Sequence, residues 1–196
     1  MPASLAATDI CSAPLECPSN PGLPINNFIL ATEPLGKDRA EALIREELGV
    51  CDTNFVVNYY RLSSDYRLLF GGGETYTTKF PNDIASFVKP HMLRVFPQLE
   101  NTKIQYGWGG KLAISRNRLP VFGRLEKDYY YALGYSGQGL ALATLFGKVI
   151  SEAISETVSD FDVLARLPRK TFPGGVRLRW PILAAAMTYY SLRDRL

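Results

Sequence analysis

A chain of 196 residues is long enough to form one or two domains with a real core. With 46% hydrophobic and 21% charged residues it has the make-up of an ordinary globular protein, which excludes an intrinsically disordered chain. The formal net charge of +3 is small and makes no general case for a nucleic-acid partner.

Residues 1–24 are rich in Ala, Ser, Pro and Cys, lack the basic and apolar segments of a signal peptide, and read as a flexible lead-in. Ile25–Glu33 is a predicted strand ended by Pro34. Lys37–Leu48 reads as a helix, with Ala40, Leu43, Ile44 and Leu48 on one face and Gly49 as its stop. Asn54–Leu62 and Tyr66–Gly72 form a predicted hairpin across Ser63-Ser64-Asp65. On the first of these strands Phe55, Val57, Tyr59 and Arg61 share one face, and Val56, Asn58, Tyr60 and Leu62 the other. Aromatics on both sides imply packing on both. Gly71-Gly72-Gly73 ends the second strand without opening a periodic helix, so a bulge or turn is expected there.

Pro81-Asn82 opens a helix with Ile84, Phe87 and Val88 inward and Pro90 kinking or breaking it. His91, the single histidine, would need an orienting partner to act as a base. The sequence offers none, so a structural role beside Met92 and Val95 is expected. Lys103–Ile114, Leu119–Gly123 and Tyr129–Gly134 read as strands, followed by a helix from Gln138 to about Val158. Its apolar stripe is Leu142, Leu145, Phe146, Val149, Ile150 and Ala153. Beyond residue 164 come Arg166, Arg169, Lys170, Arg177, Arg179, Arg193 and Arg195 against Asp194 alone. A solvated surface is the plainer account of that cluster, and a membrane surface or acidic partner the alternative. Pro181–Tyr190 is too short an apolar run to span a bilayer. Cys11, Cys17 and Cys51 show no metal-ligand spacing, and an odd count outside a disulfide scaffold suggests reduced thiols in a cytoplasmic protein.

The most pointed local pattern is the junction at Gly134-Tyr135-Ser136-Gly137-Gln138-Gly139, where an aromatic strand turns directly into the long helix. A helix N-terminus offers unpaired N–H groups and a partial positive charge of roughly +0.5. Gly134, Gly137 and Gly139 would let a planar or anionic ligand approach the backbone, or would simply permit a tight connection. No Gly-Lys-Ser/Thr follows, so the turn is not a phosphate loop.

Taken in order, Tyr60-Arg61-Leu62, Asp65 to Gly72, Tyr106-Gly107-Trp108-Gly109-Gly110, Arg118 to Gly123 and the Gly134–Gly139 turn form a set. That set resembles the C-terminal half of the FAD-dependent amine and amino-acid oxidoreductases, the group of glycine, sarcosine and D-amino-acid oxidases. The tail, Phe172-Pro173-Gly174-Gly175 through Tyr189-Tyr190-Ser191-Leu192-Arg193-Asp194, narrows the likeness to members acting on gamma-glutamylated polyamines. The likeness covers about residues 25–196. The Gly-x-Gly-x-x-Gly turn that holds the FAD pyrophosphate in that family occurs nowhere in the chain.

The resemblance implies an α+β chain that is part of an α/β FAD-binding fold. Residues 25–105 would form a mainly antiparallel substrate-side sheet with helices. Residues 106–160 would return to the FAD domain as a final strand and helix, leaving a sheet edge and an apolar helix face uncovered, and 161–196 would be a basic tail with a short helix. The cofactor would be non-covalent FAD, because no cysteine follows Cys51 to carry a flavin. Gly109, Gly110, Pro120, Tyr135, Ser136, Gly137, Gln138, Gly139 and Leu140 are the implied cofactor-binding residues. Tyr60 and Trp108 would form an aromatic substrate wall, or else pack in the core. Hydride transfer from a neutral amine needs no strong acid or base, so no catalytic residue is assigned, and no metal is expected. Relatives that bind amino acids carry an arginine carboxylate clamp where this chain has Leu112; its absence argues for an amine, although Lys111 could serve from next door. A second chain supplying the pyrophosphate-binding half is an implied partner. The competing account is a folded, non-catalytic interaction module derived from such an enzyme.

Overall fold

The computed structural model describes residues 4–7, 22–46, 48–77, 79–126, 129–155, 160–168 and 175–193. In chain order the elements are β1 (Ser4–Ala7), β2 (Gly22–Thr32), α1 (Lys37–Leu43), β3 (Val50–Cys51), β4 (Tyr59–Leu62), β5 (Leu68–Thr75), α2 (Ile84–Val95), β6 (Ile104–Ser115), β7 (Val121–Glu126), β8 (Tyr129–Leu133), α3 (Gly139–Ile154), α4 (Phe161–Ala165) and α5 (Gly175–Arg193). They fall into two compact units. A large-sheet unit holds Asn26–Gly110 and Ala184–Leu196, and a small-sheet unit holds Met1–Ile25 and Lys111–Leu183.

The large sheet runs in the order β3-β4-β5-β2-β6, and β5 pairs antiparallel with both β4 and β2. Period-2 alternation puts Phe28 and Leu30 of β2 on the same face as Leu68 and Phe70 of β5, all fully buried. Ala40 of α1, Val88 and Met92 of α2, and Phe96 and Leu99 beyond it close over that face. Burying each large apolar side chain contributes about 1.5–3 kcal/mol, so this unit builds its core from its own residues. Asn26, 1% exposed, is satisfied by donating Nδ2 to Thr75 Oγ1 at 2.9 Å and to the Thr77 carbonyl at 2.8 Å.

Four expectations need correction here. Helix α1 ends at Leu43 rather than Leu48: Ile44 turns extended (φ −137°) to bury its side chain in the core, and Leu48 is left exposed. Strand β4 starts at Tyr59 rather than Asn54. The Asp52 carboxylate gathers the chain before it, accepting from the backbone N–H of Asn54 and Asn58 at 3.2 and 3.0 Å and from both side-chain amides at 2.8 and 2.7 Å. Of the kink or break expected at Pro90, the break does not occur: helix α2 runs on to Val95, with Val88 and Met92 on either side held in the core and Asp83 capping the first turn, accepting from Ser86 N–H at 3.0 Å. The triple glycine does not end its strand. Gly72 and Gly73 stand opposite Phe28 alone, and Gly73 has φ 69°, which makes a bulge inside a strand continuing to Thr75.

The small sheet runs β1-β8-β7, with β8 parallel to β1 (Ser4 opposite Tyr129) and antiparallel to β7 (Val121 opposite Leu133). Parts of the expected lead-in are therefore strand. Ser4–Ala7 pairs with an edge of β8 whose N–H and C=O groups would otherwise be unpaired, and β2 already begins at Gly22. Residues 8–21, with Cys11 and Cys17, lie outside the described residues. Helix α3 lays Phe146, Val149 and Ile150 on Phe122, Tyr130 and Tyr135, and Phe161 of α4 joins them. The Phe122 and Phe146 rings are 4.7 Å apart. Leu145, expected on the buried stripe, is 49% exposed.

The tail helix is not short. Strong helix formers around Ala184-Ala185-Ala186 carry α5 over 19 residues and through Pro181. Phe172 to Gly174, Arg169, Lys170, Asp194 and Arg195 lie outside the described residues. In the large-sheet unit the ring of Tyr190 stacks on Phe55 at 3.9 Å and the Arg193 guanidinium lies 5.2 Å from its centre. Among the described residues no helix is long and apolar enough to cross a membrane.

Candidate functional site

The turn between β8 and α3 is held by one side chain. Ser136 adopts φ 53°, between Gly134 (φ 71°) and Gly137 (φ 91°). Glycine takes such angles freely, so Ser136 is the residue whose backbone strain the surrounding bonds must offset. Ser136 N–H donates to the Ala113 carbonyl at 3.1 Å, Ser115 N–H donates to Ser136 Oγ at 3.1 Å, and the two hydroxyls also lie 3.1 Å apart. Ser115, 3% exposed, sends its own hydroxyl to the Leu119 carbonyl at 2.7 Å. The end of β6 thus fixes the turn before α3 begins.

Gln138 is the N-cap residue of α3 but makes no side-chain cap bond, and the first turn holds no acid. The first helical bond is Leu142 N–H to the Gln138 carbonyl at 3.1 Å, so the N–H groups of Gly139, Leu140 and Ala141 have no helical acceptor. A side-chain carbon at Gly137 would have nothing within 4 Å, and Leu140 is 92% exposed. The result is an open, uncapped and electropositive helix end beside a rigid turn. It suits the electron-rich edge of a planar ligand.

A second feature lies on the face of the large sheet opposite its core. A hollow of about 340 Å³ is lined by Ile29, Tyr59, Arg61, Leu69 and Trp108, with Cys51 at its β3 side. Tyr59 lies over Gly71, where any Cβ would come 2.2 Å from the ring, and its hydroxyl donates to Asn27 Oδ1. Burial pushes the Tyr59 phenol above the usual tyrosine range, opposed by the hydrogen bond with Asn27 and reinforced by the Glu74 charge.

The expected residues divide between these two places. Ser136, Gly137, Gln138, Gly139 and Leu140 come together at the turn. Tyr135 adds its backbone carbonyl, accepting from Gln138 N–H at 2.9 Å, while its buried ring stacks 5.9 Å from Phe146. Pro120 is half-buried at the entrance to β7. Gly109 is needed for close packing: a Cβ there would meet the Phe28 ring at 2.5 Å, whereas Gly110 faces open space. Trp108, 44% exposed, lines the hollow. Tyr60 also borders it, but its ring stacks on Phe70 at 5.6 Å and meets Phe96 edge-on at 5.0 Å, so it is mainly core. Its neighbour Tyr59 turns its ring to the hollow. That residue, with Asn27, Arg61 and Ser115, was missed by sequence reasoning. The alternation that separates Tyr59 from Tyr60 was the signal, together with a glycine in register at Gly71. His91 packs against Phe87, their rings 6.1 Å apart.

Residues 5–153 match the family described as FAD dependent oxidoreductase, DAO. The chain belongs to this family. It is 43% identical over 174 residues to gamma-glutamylputrescine oxidoreductase of Escherichia coli (strain K12), covering 89% of this chain and 41% of that protein. It is 39% identical over 173 residues to the probable oxidoreductase OrdL of Haemophilus influenzae, covering 88% and 39%. The chain therefore spans about two fifths of the length of the curated relatives it matches. Among solved structures it resembles glycine oxidase from Geobacillus kaustophilus, with TM-score 0.61, 18% identity, and 79% and 41% coverage. It also resembles L-proline dehydrogenase from P. horikoshii, with TM-score 0.58, 24% identity, and 75% and 40% coverage. At those identities the likeness speaks for the fold, which is the mixed α/β fold of FAD-dependent oxidases. The uncapped α3 terminus and the open backbone at Gly137 have the donors and the space that an electron-rich ring edge of such a cofactor would need. The chain has no Gly-x-Gly-x-x-Gly turn for the pyrophosphate end.

Proposed function

We propose that this chain is the substrate-side and flavin-capping portion of an FAD-dependent oxidoreductase that oxidises a gamma-glutamylated amine. The pyrophosphate-binding half is supplied either by more of the same protein or by a separate chain. The observation that carries this reading is the Ser136-locked turn, which holds three N–H groups without helical acceptors where no side chain caps them. When bound, the flavin supplies the hydride acceptor for the amine's C–H. The N–H groups of Gly139 and Leu140, with the helix dipole, orient its electron-rich edge and stabilise negative charge there. Trp108 and Tyr59 form an apolar wall that keeps water from the substrate. Leu112, half-buried on β6, offers no cation at the position where amino-acid oxidases clamp the carboxylate, which favours an amine as the reacting group.

Two measurements test this. Fluorescence titration of the isolated chain with FAD is expected to give weak binding or none, because the pyrophosphate anchor is absent; submicromolar affinity would overturn that division of labour. In an enzyme completed with a matching N-terminal half, kcat/KM for gamma-glutamyl amines is expected to exceed that for glycine, sarcosine and D-amino acids. Preference for a small free amino acid would move carboxylate binding to another cation such as Lys111. A completed protein that stays folded and colourless with FAD would support the non-catalytic interaction module instead.

A further inference from the structure

The hollow on the large sheet is walled by Ile29, Tyr59, Leu69 and Trp108, and the charged side chain along it is Arg61. Arg61 sits in β4 opposite Leu69 and two residues from Tyr59, so alternation directs it to the same sheet face as both. The residue is exposed, and its Nε donates to the Leu62 carbonyl at 3.2 Å. Neither Nη has a protein acceptor among the described residues. Arg61 also borders a polar hollow with Lys37, Glu41 and Glu46. Glu41 there faces Lys37 at 3.9 Å, and no ion pair joins Arg61 to either glutamate among the described residues. A forked cation at the rim of an apolar cavity is suited to a carboxylate whose attached chain lies along the apolar wall. At about 340 Å³ the cavity is within the range of small-molecule sites.

We infer that Arg61 is the specificity-determining residue of this hollow and that its ligand is a small amine carrying a carboxylate at the far end of a flexible apolar spacer. The inference rests on the amine-oxidising reading and deepens it. The missing clamp at Leu112 leaves the reacting end of the molecule free of a carboxylate, and Arg61 supplies the cation for a carboxylate remote from it. A gamma-glutamyl amine has that layout, with its α-carboxylate separated from the distal amine by methylenes and an amide. A plain diamine lacks the anion, and a carboxylate directly on the oxidised carbon would put the charge at the wrong end.

The test uses the full chain, without flavin, and follows tryptophan fluorescence as gamma-glutamylputrescine, the same compound with its carboxylate converted to a carboxamide, and putrescine are added. The carboxylate compound is expected to bind about 10- to 100-fold more tightly than the other two. Arg61→Gln is expected to remove that preference, and Arg61→Lys to restore part of it. Melting curves of both Arg61 variants control for general damage to the fold and are expected to match that of the unsubstituted chain. Equal binding of carboxylate and carboxamide by the unsubstituted chain, or an undiminished preference in Arg61→Gln, overturns the inference while leaving the flavin reading intact. Failure of that reading shows differently: the carboxylate preference persists, but the completed enzyme oxidises no amine.

Discussion

The two units reach closure by different means. The large sheet buries Phe28, Leu30, Leu68 and Phe70 under helices that follow them closely in sequence, so its core is assembled from one continuous stretch and needs no help. The small sheet has three strands, and one outer strand, β1, is only four residues long and comes from more than a hundred positions away in the chain. On α3, Leu140, Leu145 and Ile154 are 92%, 49% and 45% exposed. A helix with that much apolar surface in water fits a sheet meant to carry further elements. The matches to relatives agree, since the chain covers only about two fifths of each. The lesson is that a sheet whose core comes from one continuous stretch closes on its own residues, while a small sheet whose helix keeps an exposed apolar face leaves surface for further elements.

The sharpest way to break this comparison is to remove a large side chain from the large-sheet core and watch both units. Phe70→Ala, at a fully buried position, is expected to cost about 3–5 kcal/mol in urea unfolding. Hydrogen exchange on the same protein should show the large sheet losing protection while β7 and β8 change little. If β7 and β8 lose protection equally, the units are one cooperative structure and the contrast fails.

A smaller effect is expected from overfilling. Gly109→Ala would place a methyl 2.5 Å from the Phe28 ring, and the needed shift should cost about 1–3 kcal/mol. Gly110→Ala, one residue on and with nothing within 4 Å, is the matched control and should be close to neutral. Two similar melting temperatures would show that Phe28 can move aside freely.

These pairs also show what could be read from sequence. The strands β6 and β8 and the start of α3 were legible from alternation and the change of period, β7 was legible except that it runs past Gly123 to Glu126, and the core stripe of α3 at Phe146, Val149 and Ile150 follows directly from spacing. The failures lie where a distant partner overrides a local pattern. Asp52 draws Asn54 and Asn58 out of an otherwise good strand, and Ile44 leaves a good helix to reach the core. The turn at Gly134–Gly139 was visible as a motif, but Ser115, which fixes Ser136, is twenty-one residues away and carries no local signature. Tyr60 was open to two accounts, substrate wall or core, and its contacts with Phe70 and Phe96 favour the core, while alternation turns Tyr59 toward the hollow.

Ser136→Ala sharpens the contrast on the small-sheet side. It deletes the hydroxyl that accepts from Ser115 N–H, leaving a donor on a buried residue without that partner, and should cost about 1 kcal/mol. Because Ser136 also sits at φ 53°, Ser136→Gly relieves backbone strain while losing the same bond, and should be less damaging. If alanine and glycine behave alike, strain at this turn is unimportant and the hydroxyl alone holds it.

The smallest expected effect belongs to Asp83 at the head of α2 and appears only as a function of pH. Its carboxylate accepts from the Ser86 hydroxyl at 2.6 Å and the Ser86 N–H at 3.0 Å, and these bonds hold its carboxyl below the usual range. A folded-state value lowered below the unfolded one means that the native state resists protonation. The stabilisation is therefore fully present above the ordinary aspartate range and is lost as pH falls through the folded value. Asp83→Asn keeps an oxygen for the cap but removes the charge, so the variant and the parent should differ slightly at neutral pH and converge in acid. Thermal melts from pH 7 downward read this directly, and a difference that stays constant into acid would show that the charge at Asp83 plays no part in holding α2 against the large sheet.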